Sequence, residues 1–274
     1  MIAKLEQDLL RAIGRANKTF ELIAPNDHIM VAVSGGKDSW SLLDLLLRYQ
    51  RIVPFDFTLM AVTLDQGQPG FDAEDMKARY EQMGVPYHIE FRDTYSVVKE
   101  KTPEGKAYCA LCSRMRRGIL YQLANRFGVT KIALGHHRDD FIETLLLNQF
   151  YSGRTRSMGV RLIGDDSSPE IIRPMVYISE ADLIAYAHSL AFPIIPCNLC
   201  GSQDGLKRQE IKQLLRNLEQ TNPRIRGNLI SALGNIDLTH MLVGTSTRIP
   251  DSQEEMPLQI ESGLVQLTSS PAKN

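Results

Sequence analysis

The sequence contains no apolar run that approaches the roughly 20 residues of a membrane span. Its first 20 residues, MIAKLEQDLLRAIGRANKTF, are amphipathic and lack the continuous apolar stretch of a signal peptide. These two absences predict a soluble, cytoplasmic protein with no membrane partner.

An excess of charge of either sign is absent as well. The chain has 31 lysine and arginine residues against 32 aspartate and glutamate residues, which gives a net charge of −1 at pH 7. Proteins that bind nucleic acid usually carry a basic surface, because the phosphate backbone is negative. The overall charge gives no support for such a function, so any such surface must be a local patch.

Cysteine is scarce, and four residues are too few for a disulfide scaffold in a chain of 274. All four fall in two C-x-x-C pairs, Cys109 with Cys112 and Cys197 with Cys200. One pair alone fits two buried thiols, a redox motif or a metal site, but two pairs favour a shared metal site. Zinc would use all four thiolates, whereas an iron–sulfur cluster could use three and leave one iron open. The spacing does not decide between them.

The sequence is rich in alternating strand-like and helix-like segments. Apolar runs typical of buried strands occur at residues 28–33, 57–64, 86–91 and 131–134. Helical patterns precede or follow them, at residues 4–23 (with Gly14 as an interruption), 40–47, 72–83 and 113–127. This alternation predicts an α/β protein with a doubly wound parallel sheet and an N-terminal helix, whose ligands bind at the carboxyl ends of the strands.

The pattern changes after about residue 150. The stretch 151–170 is rich in glycine, serine and charge, and is predicted to be a mobile loop. Helices are expected at 180–190, 208–220 and 224–235. The last thirty or so residues have weak periodicity and are expected to be partly disordered.

Residues 34–39, SGGKDS, stand where the first predicted strand gives way to a helix. Two adjacent glycines allow a tight turn that brings backbone N–H groups towards a ligand, and the next helix offers its N-terminal dipole to an anion. Lys37 adds a positive charge, and Ser34 and Ser39 add hydroxyl groups. The Walker A and G-x-G-x-x-G spacings both fail. A plain turn would explain two glycines alone, but the whole string in its strand and helix context favours a phosphate site.

This string resembles the SGGxDS signature of the PP-loop ATP pyrophosphatase family. The resemblance implies that family's adenine nucleotide alpha hydrolase-like fold, cleavage of ATP between the α and β phosphates, and adenylation of a carbonyl oxygen. It also implies Mg²⁺ between phosphate oxygens, with Asp38 aiding metal binding. The backbone of Val33, Ser34 and 62–64 would frame the nucleotide. The expected ATP-binding residues are Ser34, Gly35, Gly36, Lys37, Asp38, Ser39, Asp65 and Gly135.

A closer resemblance covers about residues 25–240. The strings KTPEGKAYCALCSRMRRGILY, IALGHHRDD and AFPIIPCNLCGSQ, in that order behind SGGKDS, look like those of the tRNA 2-thiocytidine synthetase family. That family replaces the C2 oxygen of cytidine 32 in the tRNA anticodon loop with sulfur and holds a 4Fe-4S cluster through three cysteines. The resemblance implies Cys109, Cys112 and Cys197 as cluster ligands, with Cys200 as the alternative third ligand.

The same resemblance implies a transferase with ATP as substrate and with tRNA and a cysteine desulfurase or other sulfur donor as partners. The sequence leaves the oligomeric state open, with a homodimer as one option. Three alternatives also stay open: 2-thiolation of a tRNA uridine, a non-catalytic zinc-bound RNA-binding module, and sulfur delivery through a persulfide, for example on Cys200.

Residues 135–140, GHHRDD, follow the fourth predicted strand and should face the same pocket as SGGKDS. The two histidines could bind zinc, but adjacent side chains in a turning segment point apart. The two aspartates could cap the next helix. Their resemblance to the G-H-x-x-D-D segment of PP-loop tRNA thiolases implies a role with ATP or Mg²⁺ instead, the second aspartate being preferred. The catalytic residues expected are Asp140, Asp139, Lys37 and Asp38.

Arginines cluster just after the first cysteine pair and within the predicted loop. A solvated helix face is the ordinary interpretation of such runs. Beside cluster cysteines, they would lie where an anticodon-loop phosphate must pass. The tRNA-binding residues expected are Arg114, Arg116, Arg117, Arg154 and Arg156, and the track could extend to Arg161, Lys207, Arg208, Arg224 and Arg226.

Together the patterns predict four segments. They are an N-terminal helix (1–24), a PP-loop ATP-binding catalytic domain with the cluster site (25–200), a helical C-terminal extension (201–245) and a flexible tail (246–274).

Overall fold

A computed structural model describes residues 2–68, 70–101, 109–164, 168–192, 194 and 203–242 of the chain. It describes the backbone alone at 98–101, 109–113 and 203–205. Cys197, Cys200 and the predicted tail at 246–274 lie outside the described residues. The chain divides into two compact units, Met1–Gly234 and Asn235–Asn274.

The first unit is built on a six-stranded sheet. Its strands are β1 (His28–Ala32), β2 (Thr58–Asp65), β3 (Tyr87–Phe91), β4 (Lys131–Ala133), β5 (Arg161–Leu162) and β6 (Glu170–Ile172). They lie in the order β3-β2-β1-β4-β6-β5, and every neighbouring pair is parallel except β5 with β6. The predicted α/β class with a doubly wound, mostly parallel sheet is confirmed.

Helices cover both faces of this sheet. They are α1 (Ile2–Phe20), α2 (Lys37–Gln50), α3 (Ala73–Met83), α4 (Thr94–Lys101), α5 (Cys109–Arg126), α6 (Arg138–Ser152), α7 (Glu180–Leu190), α8 (Gln203–Thr221) and α9 (Ile225–Ala232). The described part of the second unit contains a 3₁₀ helix at Leu238–His240. Within the described residues, no helix combines the length and the apolar character needed to cross a membrane.

The core explains why the central strands are apolar on both sides. Alternate residues of β1 point to opposite faces, so Ile29 and Val31 join one buried cluster while Met30 joins another with Leu123 of α5. On the first face, the fully buried indole of Trp40 stacks on Phe192, with 5.9 Å between the ring centroids. Apolar packing on both faces therefore fixes the sheet edge from which SGGKDS emerges.

The C-terminal helices α8 and α9 pack on α6. Ile142 and Leu146 of α6 form a buried cluster with Ile211 and Leu215 of α8, and Leu229 of α9 packs against it. This packing holds α8 and α9 beside the helix that begins with the aspartates of GHHRDD.

Three predictions about local structure were wrong. The stretch 151–170, expected to be a loop, contains β5 and the first residue of β6. These strands are too short to show an apolar period, and the Arg161 guanidinium ties them together through Nε and Nη2 at 2.8 Å each from the Glu170 carboxylate. Helix α1 runs through Gly14 without a break. Helix α5 begins at Cys109 rather than at residue 113, so the first cysteine pair is part of the helix.

Candidate active site

The SGGKDS turn links β1 to α2 at the carboxyl edge of the sheet. Gly35 has a φ of 81°, a left-handed conformation that glycine adopts without the strain that a side chain would bring. Gly36 precedes the first residue of α2 and has no side chain with which to cap the helix. The first N–H groups of α2 are thus left for another acceptor, which is the arrangement that binds phosphate.

The two serines of the turn hold its shape. The Ser39 hydroxyl donates to the carbonyl oxygen of Gly36 at 2.8 Å and accepts from the backbone N–H of Ser34 at 3.1 Å. The Ser34 hydroxyl donates to the hydroxyl oxygen of Ser39 at 3.3 Å. Ser39 is buried, so its contribution here is to fix the turn.

Gly135 brings GHHRDD into direct contact with this turn. A Cβ at Gly135 would lie 3.1 Å from the carbonyl carbon of Asp38 and 3.1 Å from the backbone N and Cα of Ser39. Strands β1 and β4 are parallel neighbours, so the segments that follow them meet at one edge. SGGKDS and GHHRDD therefore lie next to each other at the carboxyl edge of the sheet, as the sequence predicted.

Lys37 lies among carboxylates. Its ammonium donates to both oxygens of Asp38, at 2.9 and 3.0 Å, and lies 3.6 Å from Oε1 of Glu180 at the start of α7. The Glu180 carboxylate also accepts from Nζ of Lys212 at 3.0 Å on each oxygen. Burial is the largest single influence on Glu180 and acts to raise its pKa, but the hydrogen bond from Lys212 and the nearby charges of Lys212 and Lys37 together outweigh it, and the pKa is lowered. The site thus contains ionised groups of both signs.

The two aspartates of GHHRDD have different environments. Asp139 is 2% exposed and accepts from the backbone N–H of Glu180 at 2.7 Å and from Nη1 of Arg226 at 2.5 Å. Although burial opposes it, these bonds and nearby cations hold the pKa of Asp139 below its usual value. Asp140 is more open and caps α6, because its Oδ2 accepts from the backbone N–H of His137 at 3.0 Å. Asp139 therefore joins helices, while Asp140 faces the site.

The two histidines of GHHRDD also have different neighbours: the first lies beside a guanidinium group and the second beside carboxylates. Nδ1 of His136 accepts from Nε of Arg173 at 3.2 Å, and burial together with that guanidinium lowers the pKa of His136 to about 4. Nε2 of His137 lies 3.9 Å from Oδ1 of Asp38 and 3.5 Å from Oδ2 of Asp140. The ring of His137 therefore has a carboxylate from each motif beside it.

Sequence reasoning missed Glu143, one turn along α6 from Asp140. Its side chain is 1% exposed, and neither carboxylate oxygen has a hydrogen-bond partner among the described residues. Nε of Arg208 lies 3.5 Å from one oxygen and Nζ of Lys212 lies 3.7 Å from the other. Burial raises the pKa of Glu143 to about 7 despite these cations. A lone acidic residue within the largely apolar run FIETLLL was the signal in the sequence.

A cavity of about 130 Å³ opens beside the turn. Its wall includes the ends of β1 and β2, which the sequence predicted as the nucleotide frame. The lining residues are Ala32, Val33, Ser34, Gly36, Val62, Leu64, Gln66, Gln68, Phe71, Arg116 and Leu120. Asp65 is not among them, and its carboxylate accepts from the backbone N–H of Gly67 at 2.9 Å.

The predicted tRNA-binding arginines separate into two groups. Arg116 is half-buried and lines the cavity, whereas the other four are exposed: Arg114, Arg117, Arg154 and Arg156. Two arginines of the possible extended track face inward. Arg226 pairs with Asp139, and Arg208 lies 3.6 Å from Oδ1 of Asp140.

The first cysteine pair occupies the first turn of α5, one turn before Arg116. Residues three apart are neighbours on a helix surface, so the backbone places the two thiol-bearing positions side by side. Thiolates are the usual ligands of iron–sulfur clusters. Within the described side chains, no group of three or more His, Cys, Asp or Glu residues is arranged to hold a metal ion.

The fold and the glycine turn define a class, and the comparisons with known proteins agree with it. Residues 5–200 match the family model described as the PP-loop domain. A solved structure of the U34-tRNA thiolase NcsA from Methanococcus maripaludis, with its [4Fe-4S] cluster, has a TM-score of 0.65 at 22% identity. The match covers 83% of this chain and 79% of that one. The class is therefore that of PP-loop proteins.

Two relatives narrow the class to a family. The tRNA-cytidine(32) 2-sulfurtransferase of Anaeromyxobacter sp. (strain Fw109-5) is 51% identical over 88% of this chain and 80% of its own length. The enzyme of that name from Verminephrobacter eiseniae is 51% identical over 87% of this chain and 76% of its own. The chain belongs to the tRNA-cytidine(32) 2-sulfurtransferase family, a family of transferases, as the sequence motifs predicted.

Proposed function

We propose that the protein is an ATP-dependent tRNA thiolase that converts cytidine 32 of the anticodon loop to 2-thiocytidine. The observation that carries this proposal is the contact between Gly135 and the backbone of Asp38 and Ser39. It places the phosphate turn and the aspartates of GHHRDD at one edge of the sheet. The similarity to the sulfurtransferase of Anaeromyxobacter supplies the substrate and the position.

In this proposal the SGGKDS turn binds the phosphates of ATP. The uncapped N–H groups at the start of α2 and the ammonium of Lys37 hold the leaving pyrophosphate, while the cavity at the ends of β1 and β2 takes the nucleoside. The C2 oxygen of cytidine attacks the α-phosphorus, and pyrophosphate leaves. Sulfur at the oxidation level of sulfide then attacks C2, and the C2–O bond breaks so that the former oxygen departs within AMP.

A magnesium ion fits the carboxylates at this edge. Asp38 and Asp140 both approach Nε2 of His137, so a carboxylate from each motif faces the same place. Mg²⁺ usually takes one or two carboxylates and completes its shell with phosphate oxygens and water. We therefore assign Asp38 and Asp140 to a metal that binds together with ATP, and Asp139 to holding α6, α7 and α9 in place.

The cysteines fit an iron–sulfur cluster through their chemistry. Cys109 and Cys112 lie one turn apart at the start of α5, and Cys197, or Cys200 in its place, would complete a set of three thiolates. When bound, such a cluster would supply an iron with an open position for the incoming sulfur. An external donor such as a cysteine desulfurase, together with a two-electron reductant, would provide that sulfur at the sulfide level, and a cysteine persulfide is the competing route.

The exposed arginines form the proposed tRNA surface. Arg114 and Arg117 lie on α5 beyond the first cysteine pair, and Arg154 and Arg156 follow α6. Their guanidinium groups can bind phosphates of the anticodon stem and loop while the target base is turned out of its stack.

The test combines nucleoside analysis with metal analysis. Cells that lack the gene should lose 2-thiocytidine, measured by mass spectrometry of digested tRNA, and the wild-type gene should restore it. Lys37→Ala and Cys109→Ala should both fail to restore it, for different reasons. After anaerobic purification, Lys37→Ala should keep iron and sulfide but bind ATP weakly, and Cys109→Ala should do the reverse.

Lys77→Ala removes a half-exposed lysine of α3 and serves as the matched control, which should restore the modification fully. Unchanged 2-thiocytidine in cells without the gene would refute the proposal. Loss of 2-thiouridine instead would point to the uridine alternative, and stoichiometric zinc without iron would point to the RNA-binding module.

A further inference from the structure

Two cations on one face of α8 lie beside the carboxylates of the candidate active site. Arg208 and Lys212 are four residues apart, so they project from successive turns of the same face. Arg208 lies 3.6 Å from Oδ1 of Asp140, and Lys212 donates to both oxygens of Glu180. Nothing in the SGGKDS or GHHRDD motifs points to either residue, because both belong to the predicted C-terminal extension.

Glu180 connects Lys212 to the phosphate turn. Its Oε1 lies 3.6 Å from Nζ of Lys37 and 3.0 Å from Nζ of Lys212. A single carboxylate oxygen thus stands between two ammonium groups, one of which belongs to the phosphate turn. An oxygen of a polyphosphate that reached Lys37 would meet Lys212 beside it.

Lys212 is hydrogen-bonded to only one of the two carboxylates beside it, that of Glu180. The second carboxylate near it, Glu143, makes no hydrogen bond to the described residues, and burial raises its pKa to about 7. A carboxyl group that is partly protonated at neutral pH adds less than one full negative charge to those that Asp140 and Glu180 already place beside Arg208 and Lys212. Both cations are also partly exposed, Arg208 at 43% and Lys212 at 29% of the side chain, so a ligand can reach them.

We propose that Lys212, assisted by Arg208, lines the pyrophosphate site on the side opposite Lys37 and binds the β and γ phosphates of ATP there. The proposal rests on the proposed function in one respect, namely that ATP is the substrate. Helix α8 is then part of the nucleotide site. Before ATP binds, the Glu180 carboxylate holds the ammonium groups of Lys37 and Lys212 near each other. The rival explanation is that Lys212 only ties α8 to α7.

Isothermal titration of the full-length protein, with Mg²⁺ present, separates these explanations through three probes: ATP, inorganic pyrophosphate and AMP. The first two contain the phosphates that Lys212 would bind, and AMP lacks them. Lys212→Ala should weaken binding of ATP and pyrophosphate by tenfold or more and leave AMP binding within twofold. Lys212→Arg, which keeps the charge, should recover most of the ATP affinity.

The control is Arg216→Ala, which removes an exposed cation one turn further along α8 and should change none of the three affinities. A purely structural tie predicts that Lys212→Ala lowers the affinities for ATP and AMP by the same factor, or changes neither, and either result would overturn the proposal. If the wild-type protein itself binds neither ATP nor pyrophosphate, the proposed function fails instead. Thermal unfolding of each variant confirms that it is folded before titration.

Discussion

At the scale of single residues, the site depends on a glycine whose importance is steric. Gly135 approaches the backbone of Asp38 and Ser39 so closely that a methyl group would lie 3.1 Å from three backbone atoms. Backbone atoms cannot move aside as a flexible side chain can. The position of the phosphate turn relative to GHHRDD therefore depends on the absence of a side chain here.

Gly135→Ala should destabilise the fold by about 1–3 kcal/mol, as overpacking does, and should weaken ATP binding because the turn is displaced. Gly227→Ala is the control, since a Cβ at this exposed position of α9 meets nothing within 4 Å. It should stabilise the protein by up to about 1 kcal/mol, as glycine replacement within a helix does. Urea denaturation and ATP titration measure both effects, and equal stabilities for the two variants would contradict the steric argument.

His136 gives the protein a predictable response to acid. Its pKa is lowered to about 4 in the folded state, while in the unfolded chain it is near 6.5. Between these values the unfolded state binds the additional proton, so the free energy of unfolding falls as the pH is lowered. Groups that face the ring are Arg173, Asp140, Arg208 and His137.

The variant His136→Gln keeps a hydrogen-bond acceptor for Arg173 but cannot titrate. Its free energy of unfolding should therefore fall less than that of the wild-type protein as the pH is lowered. Between pH 7 and 4 the wild-type protein should lose about 3 kcal/mol more stability than the variant. The control is His188→Gln on the exposed side of α7, which should follow the wild-type curve. Urea denaturation at a series of pH values provides the measurement, and parallel curves for the wild type and His136→Gln would disprove the assignment.

At the scale of elements, α9 is held to the site by a buried ion pair. Nη1 of Arg226 lies 2.5 Å from Oδ1 of Asp139, and Nε lies 2.7 Å from Oε1 of Glu219 in α8. Asp139 in turn accepts from the first N–H of α7. The Asp139 carboxylate therefore joins the three helices α6, α7 and α9. Its place in GHHRDD serves the packing of these helices as well as the chemistry of the site.

Arg226→Ala should leave Asp139 buried without its cation and cost about 3 kcal/mol, the usual loss when one member of a buried pair is removed. Arg224→Ala removes an exposed arginine from the start of the same helix and should cost less than about 0.5 kcal/mol. Chemical denaturation compares the two, and hydrogen exchange of α9 amides should rise only in Arg226→Ala. Equal losses in both variants would show that the ion pair is unimportant.

Elements that form from a local pattern could be predicted, whereas elements that form through distant partners could not. Strands β1 and β2 are apolar runs buried on both faces, so their sequence alone indicates them. Strands β5 and β6 have two and three residues and depend on pairing with the existing sheet. For the same reason, the motifs predicted the phosphate turn but not Glu180 or Lys212, whose places follow from how α7 and α8 pack.

At the scale of the whole molecule, the sheet order assembles the site from distant parts of the chain. Residues 34–39 and 135–140 meet because β1 lies next to β4, and the first residue of α7 and one face of α8 close over them. The molecule has a net charge of −1, so no general attraction draws tRNA to this edge. If tRNA binds as proposed, a local patch of cations must attract it, and the proposed patch consists of arginines.

The salt dependence of tRNA binding tests whether those arginines are Arg114 and Arg117. Each phosphate that a cation neutralises adds about 0.7–0.9 to the slope of log affinity against log salt. The double variant Arg114→Ala/Arg117→Ala should therefore flatten the slope by about 1.5 and weaken tRNA binding, with ATP affinity unchanged.

A second double variant, Arg11→Ala/Arg216→Ala, removes the same two charges from exposed positions on α1 and α8 and should keep the wild-type slope. Filter binding at several salt concentrations gives the slopes. If both double variants flatten the slope equally, tRNA responds to the total charge of the molecule and not to a patch on α5. If only the first does, the exposed face of the helix that begins at Cys109 is the side on which the anticodon loop lies.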